Sequence, residues 1–412
     1  MRSDRGRAAR EEALRGATAV VPRRPQLVLF VAIPGLVPAH FLPAPGAQPL
    51  APRIAALADA GVAVESLQPV YPADRVPALV SLATGLAPDA HGVISDRPLE
   101  ANGLGAPRPI PASAIRGETL WQAVSRAGGA VATFDWPATA GTPAAQAAAG
   151  APAEPGATRD AALVDAACAL ASGPSPPRLL ALVLDQAGVA RASAPPGSRA
   201  LEAAIAGADA EVGRLLDCLQ AAGRLAGSAV VVTGDHGSLP VHTAVRPNAV
   251  LASVGLVTAQ REVVVSWSAF VRSLGGNAFV YARSDEDALL ARRALEEAAR
   301  ETGVFRVVSA QELLARGADP EAWFGLDAAP GWVFEDGVVG PRIAPASQRS
   351  AGGYPPAEPR METGLVAWGA GVRGGLRVPE LRQIDVAPTL ALLLGVTLED
   401  AEGRPLPAML RP

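Results

Sequence analysis

Long, uninterrupted apolar runs recur along the chain and predict the buried strands of a sheet. LVLFVAI (27–33), RLLALVLD (178–185) and SAVVVTGD (228–235) contain almost no polar residue before their last positions. Strands that are covered on both faces show such continuous runs, whereas half-exposed strands alternate. Three further strands are predicted from similar runs: VAVESLQPVYP (62–72), AVATFDWP (130–137) and GLVAWGAGV (364–372).

Helical patterns lie between these strands, and several have clear boundaries. The helix predicted at 52–60 ends at Gly61, and the one at 384–395 closes with Gly395. A helix at 77–84 follows the tight PADRVP turn, and a long helix at 198–222 separates two of the buried strands. Strand alternating with helix predicts an α/β fold, with a mostly parallel central sheet sandwiched by helices.

The character of the sequence changes between residues 255 and 345. This region contains NAFVYARS (277–284), a charged helical pattern, VFRVVSA (304–310) and the aromatic GWVFEDG (331–337). We predict a small inserted α/β subdomain at 255–345, within a core that comprises residues 26–254 and 346–412. A flexible N-terminal tail is predicted at 1–25.

Composition and charge narrow the possible partners. The chain has 412 residues, is 49% apolar and carries a formal charge of −4, with Arg well mixed among Asp and Glu. Without a broad basic face, nucleic acid is not expected as a partner. The apolar run after Arg23-Arg24 is too short to span a bilayer and contains Pro34 and Pro38. We therefore expect no membrane span and a cytoplasmic location, and the sequence indicates no particular protein partner.

Candidate chemistry lies where the predicted strands end, because ligands of open parallel sheets bind at the carboxyl ends of the strands. These positions hold Pro34, Asp185, and Asp235 followed by His236, with Arg75 beyond another strand. Two aspartates and a histidine match the oxygen and nitrogen ligands of a zinc site. A structural interpretation stays open, since Asp at a strand end often caps the next helix and a single His is often structural.

Several ordered blocks give the chain its family resemblance. They are VSLATGLAPDAHGV (80–93), WP (136–137), TGDHG (233–237), NAVL (248–251) and VAWGAGVRGG followed by IDVAPTLALLLGV (366–396). In order and spacing they resemble the alkaline phosphatase superfamily, specifically the type I phosphodiesterase/nucleotide pyrophosphatase family. The resemblance implies an alkaline-phosphatase-like fold and, in active members, two zinc ions beside a Thr or Ser nucleophile.

The resemblance also allows each functional position to be compared. Arg75 stands at the nucleophile position, and Asp96 at the position that contacts the phosphoryl group. Of the zinc-ligand positions, Asp185, Asp235 and His236 remain. Three ligands are replaced, at Pro34, Val189 and Gly352.

These replacements predict a catalytically inactive relative with a binding or regulatory role and no zinc cofactor. The alternative is an active metal-dependent phosphodiesterase or phosphatase-type hydrolase with a rearranged site. Because Arg75 would enter a pocket of carboxylates, we predict that it contacts Asp235 or, failing that, Asp185 or Asp96. An anionic small molecule at Arg75 is the expected ligand.

Overall fold

A computed structural model describes residues 24–146, 148 and 151–411. An eight-stranded sheet forms the centre of the fold. Seven of its strands form one path, in the order Leu376–Val378, Val62–Gln68, Thr363–Gly369, Ser228–Thr233, Leu27–Ala32, Leu179–Val183 and Val131–Phe134. The eighth, Leu381–Arg382, also pairs with Val62–Gln68.

Parallel pairing brings the ends of the central strands to one edge. Leu27–Ala32 runs parallel to Leu179–Val183 on one side and to Ser228–Thr233 on the other. In this register Ala32 lies opposite both Val183 and Thr233. The residues that follow these three strands therefore meet at the same edge of the sheet. Thr363–Gly369 is the antiparallel member of an otherwise parallel sheet.

Helices cover both faces of this sheet, as the continuous apolar runs predicted. All residues of the three central strands are buried. One face packs against Pro52–Ala60, Ala157–Ser172 and Arg199–Ala221. The other face packs against Arg75–Thr84, Leu120–Arg126 and Val386–Leu394. The expected α/β fold with a helix-covered, mostly parallel sheet is confirmed.

A separate antiparallel sheet has its own apolar core. Its four strands lie in the order Ala269–Leu274, Asn277–Ala282, Phe324–Ala328 and Phe305–Ser309. The helix Asp285–Thr302 buries its apolar side against this sheet, and Ala310–Ala315 packs on the last two strands. Both the sheet and its helices fall in the segment predicted as an inserted subdomain, whose boundaries stay a prediction.

Short elements complete the described chain. The remaining strands are Leu99–Glu100, Gly103–Leu104, Leu239–Pro240, Thr243–Val245, Val257–Gln260, Val263–Trp267, Trp332–Phe334, Ile343–Pro345 and Ser350–Ala351. The remaining helices are Pro88–His91, Gln186–Ser193 and Pro247–Ser253, with 3-10 turns at Pro38–His40, Ala112–Ala114, Leu225–Gly227, Gln383–Asp385 and Pro407–Met409. The N-terminal tail predicted at 1–25 lies, up to residue 23, outside the described residues. Within the described ranges, no helix combines the length and apolar character that crossing a bilayer requires.

Candidate functional site

Asp235 lies at the centre of the strand-end site and is fully buried. Its Oδ1 accepts hydrogen bonds from the backbone N–H of Gly35 at 2.8 Å and of His236 at 2.6 Å. Arg191 binds the carboxylate with both terminal nitrogens, Nη1 to Oδ1 at 3.1 Å and Nη2 to Oδ2 at 2.9 Å. Burial alone would raise the pKa of Asp235, but the Arg191 guanidinium and the backbone donors hold it well below its usual range. Asp235 is therefore a buried, ionised and fully engaged carboxylate.

Arg191 also contacts His236, the other residue of this strand end. Its Nη1 donates to the His236 carbonyl at 2.9 Å, and its Nη2 lies 3.2 Å from Nε2 of the ring. The ring Nδ1 lies 2.6 Å from the Gly237 carbonyl, which can only accept, so the proton belongs on Nδ1 and Nε2 is the acceptor. Burial and the Arg191 charge lower the pKa of His236 to about 4. The imidazole is neutral at neutral pH, and its free lone pair faces a guanidinium.

Arg191 was not among the residues singled out from the sequence. It lies on the helix Gln186–Ser193, a segment that the sequence placed between a strand and the long helix 198–222 without assigning it structure. Arg191 is 9% exposed and is the only charged residue of that helix. A single Arg in the stretch AGVARASA, a few residues after a strand-end Asp, was the signal that could have identified it.

Asp185 forms the second carboxylate pair of the site. Its Oδ2 lies 3.2 Å from Nη2 of Arg75, which begins the helix Arg75–Thr84. The sequence-based first choice, a contact between Arg75 and Asp235, is wrong because Arg191 already occupies that carboxylate. The second choice, Asp185, is confirmed. Burial raises the pKa of Asp185, and the nearby Asp235 adds to this, while Arg75 opposes it.

The Arg75–Asp185 pair is less complete than the pair at Asp235. Nε of Arg75 and Oδ1 of Asp185 are buried and make no hydrogen bond. The Arg75 side chain is 36% exposed, whereas that of Arg191 is 11% exposed. Arg191 is thus held in a closed network of contacts, whereas Arg75 lies at a partly open edge of the site.

Two of the three replaced positions lie directly at this site. A Cβ atom on Gly352 would lie 2.3 Å from Cε1 of His236 and 2.7 Å from the Ala73 carbonyl oxygen. Pro34 packs against the backbone of Gly188, beside Asp185. Val189, the third replaced position, follows Gly188 on the same helix as Arg191 and is 44% exposed. The structure therefore brings Pro34 and Gly352 together with the retained residues.

The remaining donors do not fit a zinc ion. Both oxygens of Asp235 and one oxygen of Asp185 are bound by guanidinium groups, and Nε2 of His236 faces Arg191. Zinc sites in proteins use three or four protein ligands that approach one point. Among the residues that the structure describes, no group of three or more His, Cys, Asp or Glu side chains has that arrangement.

The other histidines have local partners and do not complete the site. His91 lies 3.0 Å from the Ser81 hydroxyl through Nε2 and accepts from the backbone N–H of Val93 through Nδ1. His40 accepts from the backbone N–H of Val37, and burial lowers its pKa to about 4. His242 pairs with the Thr243 hydroxyl on an exposed edge.

A cleft of about 610 Å³ opens beside the paired carboxylates. Arg191, His236 and Gly352 line one side, and residues Arg272 to Gly275 at the end of a strand of the four-stranded sheet line another. Asp96, the position predicted to contact a phosphoryl group, also lines it and is half-buried. So does Asp74, a half-buried residue that the sequence analysis did not single out.

Comparisons with known proteins agree with this architecture. Residues 42–318 match the family described as type I phosphodiesterase / nucleotide pyrophosphatase. An inactive variant of murine ectonucleotide pyrophosphatase/phosphodiesterase 5, solved in complex with AMP, superposes with a TM-score of 0.76 at 17% identity, over 94% of this chain and 100% of that one. The human protein of the same name gives a TM-score of 0.75 at 16% identity, with the same coverage of both chains. A comparison with curated protein sequences gives no match. The alkaline-phosphatase-like fold is thereby established.

Proposed function

Because the chain belongs to the type I phosphodiesterase/nucleotide pyrophosphatase family, we propose that it is a catalytically inactive member whose cleft binds a small ligand without metal. Fold alone does not decide activity, since one fold can carry many functions and none. The residues of the site carry the proposal.

The single observation that supports inactivity best is the pair of arginine–aspartate contacts, Arg191 with Asp235 and Arg75 with Asp185. Each guanidinium supplies a permanent positive charge to a carboxylate that would otherwise need a cation. Two arginines balance two aspartates, so this part of the site is already neutral. A metal ion at Asp235 would have to displace the buried Arg191. The charge of the Arg191 guanidinium would then lack a partner.

The three hydroxyl groups that follow Arg75 most closely in the described sequence all have local partners. Ser81 is buried and pairs with His91, and the Thr84 hydroxyl donates to the Val80 carbonyl within its own helix. The Ser95 hydroxyl accepts from the backbone N–H of Arg97. None of these three hydroxyl groups therefore favours the alternative, an active hydrolase with a rearranged site.

The predicted anionic ligand at Arg75 remains a proposal. Two features of Arg75 favour this ligand: its guanidinium is partly exposed, and its Nε makes no hydrogen bond. Asp185 already balances the charge of Arg75, which weakens the expected attraction for an anion. The murine relative was solved with AMP, so AMP is the first anion to test by calorimetric titration.

Inactivity is tested by measuring zinc content and hydrolysis together. Protein purified in zinc-containing buffer and then dialysed should hold less than one zinc per chain and should not hydrolyse bis(p-nitrophenyl) phosphate or p-nitrophenyl phosphate. An active phosphodiesterase of the family, treated identically, is the positive control. Stoichiometric zinc with metal-dependent turnover would refute the proposal.

A further inference from the structure

Arg272 carries an unpaired positive charge on the wall of the cleft. It lies on the strand Ala269–Leu274, is 9% exposed and stacks over the Tyr281 ring, with Cζ 5.2 Å from the ring centroid. Its Nε is buried without a hydrogen-bond partner. In the described part of the chain, no carboxylate lies within ion-pair distance of its guanidinium.

Two hydroxyl groups that line the same cleft also lack partners. Ser273 follows Arg272 on the strand, and Ser350 is 3% exposed on the short strand Ser350–Ala351. The Oγ atoms of both serines are buried and make no hydrogen bond. Buried polar groups in native proteins are nearly always bonded, so several orphans on one cleft wall indicate a missing partner. Ser273 and Arg272 are adjacent on a regular strand, so their side chains point to opposite faces of the sheet. An acidic group of a ligand in the cleft could accept hydrogen bonds from Arg272 and Ser350.

Most other charged residues of the cleft wall are already neutralised. Arg191 pairs with Asp235, Arg97 pairs with Asp336 at 2.7 Å, and Glu335 lies 3.8 Å from Arg246. Two carboxylates of the lining are left over, Asp74 and Asp96. Neither forms an ion pair with a described residue, and the Asp74 side chain makes no capping hydrogen bond at the helix it precedes. After pairing, the cleft retains one cation and two anions.

We propose that this cleft binds a small zwitterion, whose acidic group contacts Arg272 and Ser350 and whose ammonium group contacts Asp74 or Asp96. The inference rests on the proposed function, because it names the ligand class of the same cleft. A ligand of one charge would leave the opposite unpaired group without a partner, whereas a zwitterion matches both. A charged group in a partly dehydrated cleft gains most from a direct counter-charge.

The raised pKa of Asp74 is consistent with an ammonium group placed beside its carboxylate. The pKa of Asp74 is raised to about 6, mainly by burial and also by the carboxylates of Asp235 and Asp96, while the backbone N–H of Arg75 and the charge of Arg191 oppose the rise. Such crowding of carboxylates is relieved by a cation between them.

The first test compares ligands of matched length by isothermal titration calorimetry. The probes are ε-aminocaproate, which carries both charges, caproate, which carries only the acid, and n-hexylamine, which carries only the ammonium group. Glycine and γ-aminobutyrate vary the distance between the charges. At least one of the three zwitterions should bind about tenfold or more tightly than either singly charged probe. Equal affinity for the tightest zwitterion and caproate, or no binding of any zwitterion, would overturn the proposal.

The second test uses variants with matched controls and the tightest zwitterion of the series. Arg272→Gln should weaken its binding by about tenfold or more. Arg283→Gln is the control, because Arg283 also stacks on an aromatic ring, with Cζ 4.6 Å from the centroid of Trp267, but does not line the cleft. Arg283→Gln should leave the affinity unchanged. Equal effects of the two substitutions would contradict the assignment.

A variant at the proposed ammonium site keeps the test decisive if Arg272→Gln does not fold. Asp96→Asn should weaken zwitterion binding while leaving the affinity for caproate unchanged, and Asp59→Asn, on the exposed end of the helix Pro52–Ala60, should change neither. If Asp96→Asn and Asp74→Asn both bind the zwitterion like the parent, the ammonium site is wrong. Hydrolysis of phosphate esters is measured on the same samples. If the protein hydrolyses them and also binds the zwitterion, the proposed inactivity is refuted, whereas the zwitterion proposal stands.

Discussion

Arg191 holds the carboxylate of Asp235 in a two-pronged contact, with Nη1–Oδ1 and Nη2–Oδ2 distances of 3.1 and 2.9 Å. Such parallel, charge-assisted hydrogen bonds are among the strongest that side chains form. Both groups are largely buried, so water competes little with this contact. The contact connects the helix Gln186–Ser193 to the end of the strand Ser228–Thr233.

Removing one member of this pair should be costly. We expect Arg191→Met to lower the free energy of unfolding by about 3 kcal/mol, because it leaves Asp235 buried and ionised without a counter-charge. Urea denaturation followed by circular dichroism measures this. Arg126→Met is the control, since Arg126 makes a comparable contact with Glu118 at the exposed surface and should change stability little. Similar losses in the two variants would show that the buried pair has no special role.

Rebuilding the family's ligands should not restore zinc binding while Arg191 stays in place. The variant Pro34→Asp, Arg75→Thr, Val189→His and Gly352→His should bind less than one zinc per chain. Adding Arg191→Ala should increase zinc binding, because it frees the retained carboxylate and imidazole. Elemental analysis after dialysis measures both. Stoichiometric zinc in the fourfold variant would show that Arg191 yields readily to a metal ion.

Gly352 should not tolerate a side chain. A Cβ there would lie 2.3 Å from Cε1 of His236 and 2.7 Å from the Ala73 carbonyl oxygen, so Gly352→Ala should cost about 1–3 kcal/mol of stability through overpacking. Gly173→Ala is the matched control, because φ there is −65° and the added Cβ meets its neighbours at 3.4 Å. Thermal unfolding compares the two. A Gly352→Ala protein as stable as the control would mean that the ring and loop move aside easily.

Asp74 should destabilise the folded protein at neutral and alkaline pH. Its pKa is raised to about 6 in the folded state, whereas an unfolded Asp titrates near pH 4. Ionised Asp74 therefore costs stability above about pH 6, and the cost disappears below about pH 4, where both states are protonated. Asp74→Asn should raise the free energy of unfolding by about 1–2 kcal/mol at pH 8. The gain should fade between pH 6 and pH 4 in urea titrations, and a gain that is independent of pH would contradict this.

The fold followed from the sequence because its signals are local. Continuous apolar runs identified the buried strands, and parallel pairing of those strands explains why Asp185 and Asp235 meet at one edge. Gly61 and Gly395 marked helix ends that the structure reproduces. Each of these features depends on residues that are close in the sequence and on the spacing of apolar residues within one strand or helix.

The side-chain contacts within the site could not be predicted from the sequence, because they depend on residues that lie far apart in the chain. The helix that carries Arg191 has only eight residues, too few for a periodic apolar pattern to indicate it. Whether Arg75 reaches Asp235 or Asp185 depends on which carboxylate is still free, and that depends on Arg191. One unassigned helix therefore changed the expected partner of another residue 116 positions away in the chain (191 − 75).

The two guanidinium groups differ from metal ions in one respect that bears on physiology. They are covalently attached to the chain, so no chelator can extract them and no shortage of zinc can leave their positions vacant. Once folded, the protein should behave identically in zinc-depleted and zinc-rich medium, and its ligand affinity should be unchanged by ethylenediaminetetraacetate. On the proposed function, ligand binding at this site would not depend on the supply of metal ions.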